Sequence, residues 1–128
     1  MRLLLDTHAV LWWFLDHPAL SRVARGAIEA VDAEVMVSAV SAMEVTTKFR
    51  LGRLPEAAAL ADGFEGMVES YRFEPLSITL RHASLAGSLP FPHKDPFDRL
   101  LIAQALIEKV SLVSNEKLFD ASGVTRLW

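Results

Sequence analysis

The sequence predicts a single α/β domain over residues 1–128, in which helices cover both faces of a central, mostly parallel sheet. Three observations lead to this fold class. Short apolar segments, such as residues 2–5 and 35–37, have the length and composition of buried strands. They alternate with longer segments whose apolar residues recur at helical spacing, which is typical of parallel strands joined by crossover helices. A length of 128 residues suits one domain with its own hydrophobic core.

The predicted helices are bounded by capping residues and by residues that break regular structure. Ser21 can cap the N-terminus of one helix, Pro96 suits the first position of another, and Gly52 suits a C-terminal cap. Gly63 and Gly66 weaken the helix that contains them. In chain order, the predicted helices cover residues 9–15, 21–31, 41–51, 55–71, 79–86 and 96–109.

The predicted strands lie between these helices. The first strand is wholly apolar, so we expect it at the centre of the sheet. Pro75 lacks a backbone N–H donor, and its strand is therefore expected at an edge. In chain order, the predicted strands cover residues 2–5, 35–37, 73–78, 111–114 and 124–127.

Composition excludes several classes of protein. The chain is 52% hydrophobic and 23% charged, which is typical of a globular protein rather than a disordered one. It has no cysteine, which excludes disulfides, thiolate zinc sites and thiol nucleophiles and is compatible with a reducing cytoplasm. Asp6 interrupts the first apolar run, so we expect no signal peptide, and the apolar run at residues 9–15 is too short to span a membrane. A net charge of −3 gives no overall basic surface for nucleic acid.

Isolated carboxylates stand where predicted strands end and where predicted helices begin. Asp6 ends the first strand, Glu44 lies on the helix after the second strand, and Glu116 follows a later strand. Asp95 and Asp98 open the last long helix. In an open α/β sheet these places converge on one crevice outside the carboxyl ends of the strands. Carboxylates without cysteine suit Mg²⁺ or Mn²⁺, which points toward phosphate chemistry.

Each carboxylate also has a purely structural explanation. Asp6 could cap the helix that follows it, and Asp95 with Asp98 could form an ordinary capped helix start. Glu44 precedes Lys48 by four residues, which is the favourable spacing for an ion pair on a helix surface. Glu116 could belong to a simple turn. Only the joint placement of the acids favours a metal site.

Basic and imidazole side chains near these acids are candidates for substrate contacts. The candidates for binding phosphate groups are Lys48, Arg50, Arg53 and Arg99. Positive charge is also favoured at a helix C-terminus, which the first three flank. His8 and His93 could be metal ligands or proton carriers, although a lone histidine more often packs or forms hydrogen bonds.

Several short motifs occur together in a characteristic order. They are LLLDTHAVLW at residues 3–12, VSAVSAMEV at 37–45, Lys48 with Gly-Arg-Leu at 52–54, HKDPFDRLLIAQA at 93–105 and LVSNE at 112–116. Together they resemble the PIN-domain ribonucleases, in particular the VapC-type toxins of toxin–antitoxin pairs. The likeness extends from Met1 to Trp128, and the Asp-Pro-Phe-Asp-Arg stretch is its most distinctive part.

This resemblance implies a PIN-like, 5′-nuclease-like α/β/α fold and a metal-dependent endoribonuclease that uses Mg²⁺ or Mn²⁺. The first three acidic positions of the family fall on Asp6, Glu44 and Asp98. The fourth, usually aspartate, falls on Glu116, whose longer side chain reaches a metal through water or not at all. Asp95 is an additional acid that could share this work. We expect Asp6 and Asp98 to bind the metal directly.

The resemblance also implies partners. Arg99, Lys48 and Arg53 become candidates for contacts with the RNA backbone. A cognate antitoxin protein is expected to block the site, and a cytoplasmic homodimer without membrane contact is expected. The bulky apolar residues 9–15 could form a subunit or partner interface, or could simply pack in the core.

Two other functions remain open from the sequence. A PIN-like binding module that cuts weakly or not at all, and acts through a protein partner, is supported only by Glu116 in place of aspartate. A phosphotransfer protein is the second alternative. A receiver domain needs adjacent acids after its first strand, and a haloacid-dehalogenase-type phosphatase needs Asp-x-Asp. The segment Asp6-Thr7-His8 supplies a single acid, which argues against both phosphotransfer classes.

Overall fold

A computed structural model describes all residues, 1–128, of the chain. The strands are β1 (Arg2–Leu5), β2 (Glu34–Ser38), β3 (Glu74–Leu76), β4 (Ser111–Val113) and β5 (Arg126–Leu127). The α-helices are α1 (Thr7–Phe14), α2 (Arg22–Glu29), α3 (Ala39–Arg50), α4 (Ala58–Asp62), α5 (Phe64–Ser70), α6 (Leu80–Ser88) and α7 (Pro96–Glu108). Short 3-10 helices lie at Pro55–Ala57 and Lys117–Ser122.

The five strands form one parallel sheet in the order β3-β2-β1-β4-β5. The central strand is β1, as its apolar sequence predicts. Leu5 lies in register with Val37 of β2 on one side and with Val113 of β4 on the other. The chain therefore winds outward from β1 in both directions, which opens a crevice at the carboxyl end of this strand.

Alternate residues of the strands feed two cores on opposite faces of the sheet. Leu3 and Leu5 belong to the core that lies against α1 and α2. Leu4 belongs to the core that contains Leu101 and Ile102 of α7. All three leucines of β1 are fully buried, so the sheet is covered on both faces. The predicted three-layer α/β/α arrangement is confirmed.

The segment at residues 55–71 is interrupted, whereas the sequence predicts one continuous helix. A 3-10 turn leads into α4, and α5 starts afresh after Gly63. The backbone of Gly63 lies outside the helical region at φ −136° and ψ 40°, and glycine stabilises a helix poorly. Gly66, by contrast, stays inside α5. Gly52 has a φ of +75° just after α3, as expected for a C-terminal cap.

The apolar stretch of α1 packs mainly in the core rather than on a free surface. Leu11 is buried, and Trp12, Trp13 and Phe14 are half-buried against the core that contains Leu3. This arrangement favours the core-packing explanation of the stretch over the interface explanation. None of the helices has both the length and the apolar character that a membrane span requires.

Candidate active site

Asp6 lies at the carboxyl end of the central strand and begins α1. Its backbone N–H still donates to the carbonyl of Val113 in β4, at 3.0 Å. Its side-chain Oδ1 accepts a 2.8 Å hydrogen bond from the N–H of Ala9. The residue is only 6% exposed. The structural and functional explanations of Asp6 are therefore compatible, because a helix cap fixes a buried carboxylate at the switch point of the sheet.

Glu44 is buried on α3, although a glutamate at this spacing is usually a surface residue. Its Oε2 atom accepts a 2.5 Å hydrogen bond from Nζ of Lys48, so the predicted ion pair is present. Its Oε1 atom is also buried and has no hydrogen-bond partner in the protein. An unpartnered buried carboxylate oxygen is costly, so this atom is suited to a ligand that the cavity receives.

Asp95 and Asp98 occupy the start of α7 with different tasks. Oδ1 of Asp95 accepts hydrogen bonds from the backbone N–H groups of Phe97 and Asp98, which makes it the N-cap of the helix. Asp98 lies in the first turn, where its Oδ2 is 2.7 Å from Nε2 of His93. His93 thus holds one side of the Asp98 carboxylate and leaves the other side toward the acidic cavity.

Glu116 caps the 3-10 helix that follows β4. Its Oε1 accepts a 3.1 Å hydrogen bond from the N–H of Leu118, and its own N–H donates to Oγ of Ser114 at 3.0 Å. The turn therefore fixes Glu116 beside the carboxyl end of a strand, as the sequence predicts.

All five acids line one cavity of about 310 Å³. Its full lining is Asp6, Thr7, His8, Trp12, Glu44, Lys48, Asp95, Asp98, Asn115, Glu116 and Phe119. Lys48 is the only lysine or arginine in this lining, so the cavity is strongly anionic. The other four hollows on the surface contain no such cluster of acids.

Burial and mutual repulsion perturb two of these carboxylates. Burial raises the pKa of Asp6 to about 6, with a further increase from the charge of Asp98, while hydrogen bonds with Ser114 and Ala9 act in the opposite direction. Burial likewise raises the pKa of Asp98, whereas the hydrogen bond with His93 lowers it. Raised pKa values of clustered acids in a cavity are typical of sites that bind cations or transfer protons.

The donor set of this cavity fits a hard, hydrated divalent cation. Every one of the five acids has one oxygen held by a hydrogen bond or ion pair within the chain. Glu44 adds an oxygen with no partner. No three of the side chains are gathered closely enough to enclose an ion by themselves. This geometry suits Mg²⁺ or Mn²⁺, which keep several waters and need only one or two direct carboxylates.

Comparison with known proteins identifies the family of this chain. The family model described as PIN domain matches residues 3–123. The chain belongs to the PIN domain family. A curated relative, Ribonuclease VapC22 of Mycobacterium tuberculosis, is 34% identical over 116 residues, which cover 89% of this chain and 86% of the relative.

Solved structures from other organisms share the fold. In VapBC2 of Rickettsia felis bound to a promoter DNA fragment, the matching chain has a TM-score of 0.73 at 16% identity, covering 98% of this chain and 97% of that one. In VapBC-1 of nontypeable Haemophilus influenzae, the TM-score is 0.68 at 16% identity, with 98% and 96% covered. At such low identity these likenesses establish the fold alone.

The basic residues of this PIN domain take different places from one another. Lys48 lines the cavity, whereas Arg53 is exposed beyond the end of α3 and does not line it. The guanidinium of Arg99 donates hydrogen bonds to the carbonyls of Ala86, Leu89, Phe91 and His93. Arg99 therefore fixes the loop that precedes α7. Four of its five N–H donors are used in these hydrogen bonds, so a contact between Arg99 and RNA stays a prediction that would have to use the remaining N–H or the charge alone.

The sequence did not identify several residues that lie in or beside the lining of the PIN site. Thr7 and Ser41 lie 3.1 Å apart, hydroxyl to hydroxyl, and this buried contact joins the starts of α1 and α3. Asn115 and Phe119 line the cavity from the turn after β4. Their only signal in the sequence was nearness to a predicted acid, since such residue types are common in turns and cores.

Proposed function

We propose that this PIN domain is a metal-dependent endoribonuclease and the toxin of a toxin–antitoxin pair. The observation that carries the proposal is the buried, unpartnered Oε1 of Glu44 in a cavity shared with four other acids. The relative that is 34% identical across most of the chain is named a ribonuclease. The solved structures that share the fold are toxin–antitoxin complexes, which supports an antitoxin protein as the partner.

The acids of the cavity divide into two groups. Asp6 and Asp98 would hold Mg²⁺ or Mn²⁺ directly, because they lie at the switch point and at the rigid start of α7. Glu44 would act through a water molecule, with Asp95 and Glu116 at the rim. An ion bound there supplies charge neutralisation at the phosphate and lowers the pKa of a bound water.

The chain's own groups would position the substrate and the attacking water. Oε1 of Glu44 can accept a hydrogen bond from that water, since no protein group uses this atom. The ammonium of Lys48 offsets the charge on the other oxygen of Glu44 and faces the cavity, where it can also contact an RNA phosphate. Arg53 is exposed near the end of the same helix and would contact the backbone further along the strand.

A cytoplasmic homodimer is part of this proposal. Met43 on α3 is 62% exposed, and Leu51 just beyond the helix is 50% exposed. Together they offer apolar surface outside the acidic cavity, which supports contact with a second copy. Light scattering at micromolar concentration tests the dimer, and a monomeric mass would contradict it.

Cleavage of RNA by the purified chain tests the activity. We expect cleavage with Mg²⁺ or Mn²⁺, no cleavage in excess EDTA, and no cleavage by Asp98→Asn. The matched control is Asp62→Asn, which changes an exposed acid that lies outside the cavity. Cleavage that persists in EDTA, or in Asp98→Asn, would overturn the metal-dependent mechanism. An intact metal site without any cleavage would instead favour the binding module.

The antitoxin partner is tested in cells. Expression of the chain alone should arrest growth, and co-expression with the adjacent small gene should relieve the arrest. Asp98→Asn should be harmless without that gene. Growth arrest that is unaffected by Asp98→Asn would separate toxicity from RNA cleavage.

A further inference from the structure

We propose that stacked rings on α1 and just after its end bind unpaired RNA bases beside the acidic cavity. The rings are those of His8, Trp12 and His17, here called the aromatic column. His8 stacks on Trp12 with centroids 5.3 Å apart and planes 26° apart. Trp12 stacks on His17 at 5.8 Å and 24°. Trp128 packs against Trp12 in a tilted arrangement. This inference rests on the proposed function, because it assigns part of the same RNA substrate to these rings.

One end of the aromatic column lies in the lining of the acidic cavity. His8 and Trp12 both line the cavity that contains Asp6, and His8 follows Asp6 by two residues at the start of α1. A nucleotide whose phosphate sits at the acids therefore has its base within reach of the rings. The exposed imidazole of His8 makes no hydrogen bond within the chain, so this end of the column is accessible.

Local structure holds the rings in place before any ligand arrives. His8 and Trp12 are four residues apart on α1, so they lie one above the other on the same helix face. The backbone N–H of His17 donates to the carbonyl of Trp12 at 2.8 Å. Nδ1 of His17 in turn accepts a 3.0 Å hydrogen bond from the N–H of Ala19. A preordered column loses little conformational freedom when a base stacks on it.

The chemistry of the cavity favours stacking as the source of RNA affinity. The lining has five carboxylates against Lys48, so phosphate groups are poorly attracted without a metal ion. Stacking on a ring requires no charge and accepts any base, and it strengthens binding by about tenfold per stacked base. Bases of a duplex are hidden from such a surface, so the occupant is single-stranded RNA.

A second aromatic group on the molecule has a different role. Trp13 and Phe14 pack with Tyr71 and Phe73; Phe73 belongs to the hydrophobic core, and Trp13 and Phe14 lie against that core. None of these four rings lines the acidic cavity. Tyr71 is half exposed, which makes it a matched control for an accessible ring away from the acids.

The test compares two labelled oligoribonucleotides of equal length in a non-cleaving Asp98→Asn background. One carries bases throughout, and the other has abasic tetrahydrofuran residues at its central positions, which preserves the phosphates. We expect fluorescence anisotropy to show about tenfold tighter binding of the oligonucleotide with bases. His8→Ala should remove most of this difference, His8→Phe should restore it, and Tyr71→Ala should leave it unchanged.

Several results would overturn the proposal. These are equal affinity for the two oligonucleotides, no binding of either, or an equal loss in His8→Ala and Tyr71→Ala. A shift of His8→Ala from dimer to monomer in light scattering, with base-dependent binding intact, would assign the rings to a second copy. Wild-type cleavage assays separate this inference from the proposed function. Cleavage without base-dependent binding would support the ribonuclease function and contradict the aromatic column as a base-binding surface. Base-dependent binding without cleavage would support the aromatic column and contradict the ribonuclease function.

Discussion

The hydroxyl of Ser38 donates a 2.5 Å hydrogen bond to Oε1 of Gln104, and both side chains are buried. Ser38 ends β2 and caps α3, because its Oγ also accepts a hydrogen bond from the N–H of Val40. Gln104 lies on α7. One buried contact therefore joins the helix that carries Glu44 to the helix that carries Asp98, and it fixes their relative position without touching the cavity.

Gln104→Leu should destabilise the protein by about 2–3 kcal/mol, because it leaves buried polar groups without partners. The amide of Gln104 also donates to the carbonyl of Ser77 and to Nδ1 of His82. Urea unfolding monitored by circular dichroism measures the loss. Ser84→Ala, at an exposed position, is the control. A change below about 0.5 kcal/mol would show that the buried network contributes little.

The metal-free protein should lose stability as the pH rises from about 4 to about 6. Burial raises the pKa of Asp6 from 3.8 to about 6, so the folded chain keeps a proton that the unfolded chain releases in this window. The full effect is about 3 kcal/mol, present below pH 3.8 and lost above about pH 6. The raised pKa of Asp98 acts in the same direction. Asp6→Asn should abolish cleavage yet be more stable than wild type at pH 7.5 in EDTA.

Thermal unfolding of both proteins at pH 4 and pH 7.5 checks this expectation. Asparagine can still accept the hydrogen bond from Ala9, so the start of α1 is preserved. The difference between variant and wild type isolates Asp6 from other groups that titrate. If Asp6→Asn is less stable at pH 7.5, the carboxylate is stabilised by its surroundings rather than strained by burial.

Affinity for Mn²⁺ should rise with pH through about 6. The ion binds ionised carboxylates, so it must displace the proton that Asp6 retains below its pKa of about 6. We expect affinity to fall about tenfold at one pH unit below that value. Calorimetric titration at pH 5 and pH 7.5, in buffers of different ionisation enthalpy, measures both affinity and proton release. Binding that is independent of pH would mean that Asp6 is not a ligand.

The sequence was sufficient to predict the order of strands and helices and the position of the acids. Apolar β1 identifies the central strand, and Asp6 at its end identifies the switch point. The break at Gly63 was harder to predict, because a helix of this composition continues or ends according to its tertiary contacts. Arg99 shows a similar limit. Its charge predicted a contact with the RNA backbone, whereas the loop carbonyls that accept its hydrogen bonds come together only in the folded chain.

Arg99→Lys should reduce stability by about 2 kcal/mol or more, because one ammonium cannot replace a planar guanidinium that donates to four carbonyls. The affinity of the folded variant for RNA should be unchanged. Lys48→Met should weaken RNA binding, because it removes the one ammonium in the cavity lining, and it should also lower stability, because the buried carboxylate of Glu44 loses its ion-pair partner. Urea unfolding and anisotropy with one oligonucleotide measure both properties. Weak RNA binding by a stable Arg99→Lys protein would restore Arg99 as an RNA contact.

Glu116→Gln should weaken Mn²⁺ binding a few-fold without abolishing cleavage. Oε1 of Glu116 is held by the N–H of Leu118, and glutamine preserves that acceptor while it removes the charge. Loss of one rim charge should therefore act on the ion at longer range, through water. Calorimetry measures the Mn²⁺ affinity and a cleavage assay measures the activity, with Asp98→Asn as the reference for complete inactivation. Complete inactivation, equal to that of Asp98→Asn, would make Glu116 a direct ligand, whereas unchanged affinity would place its side chain outside the metal site.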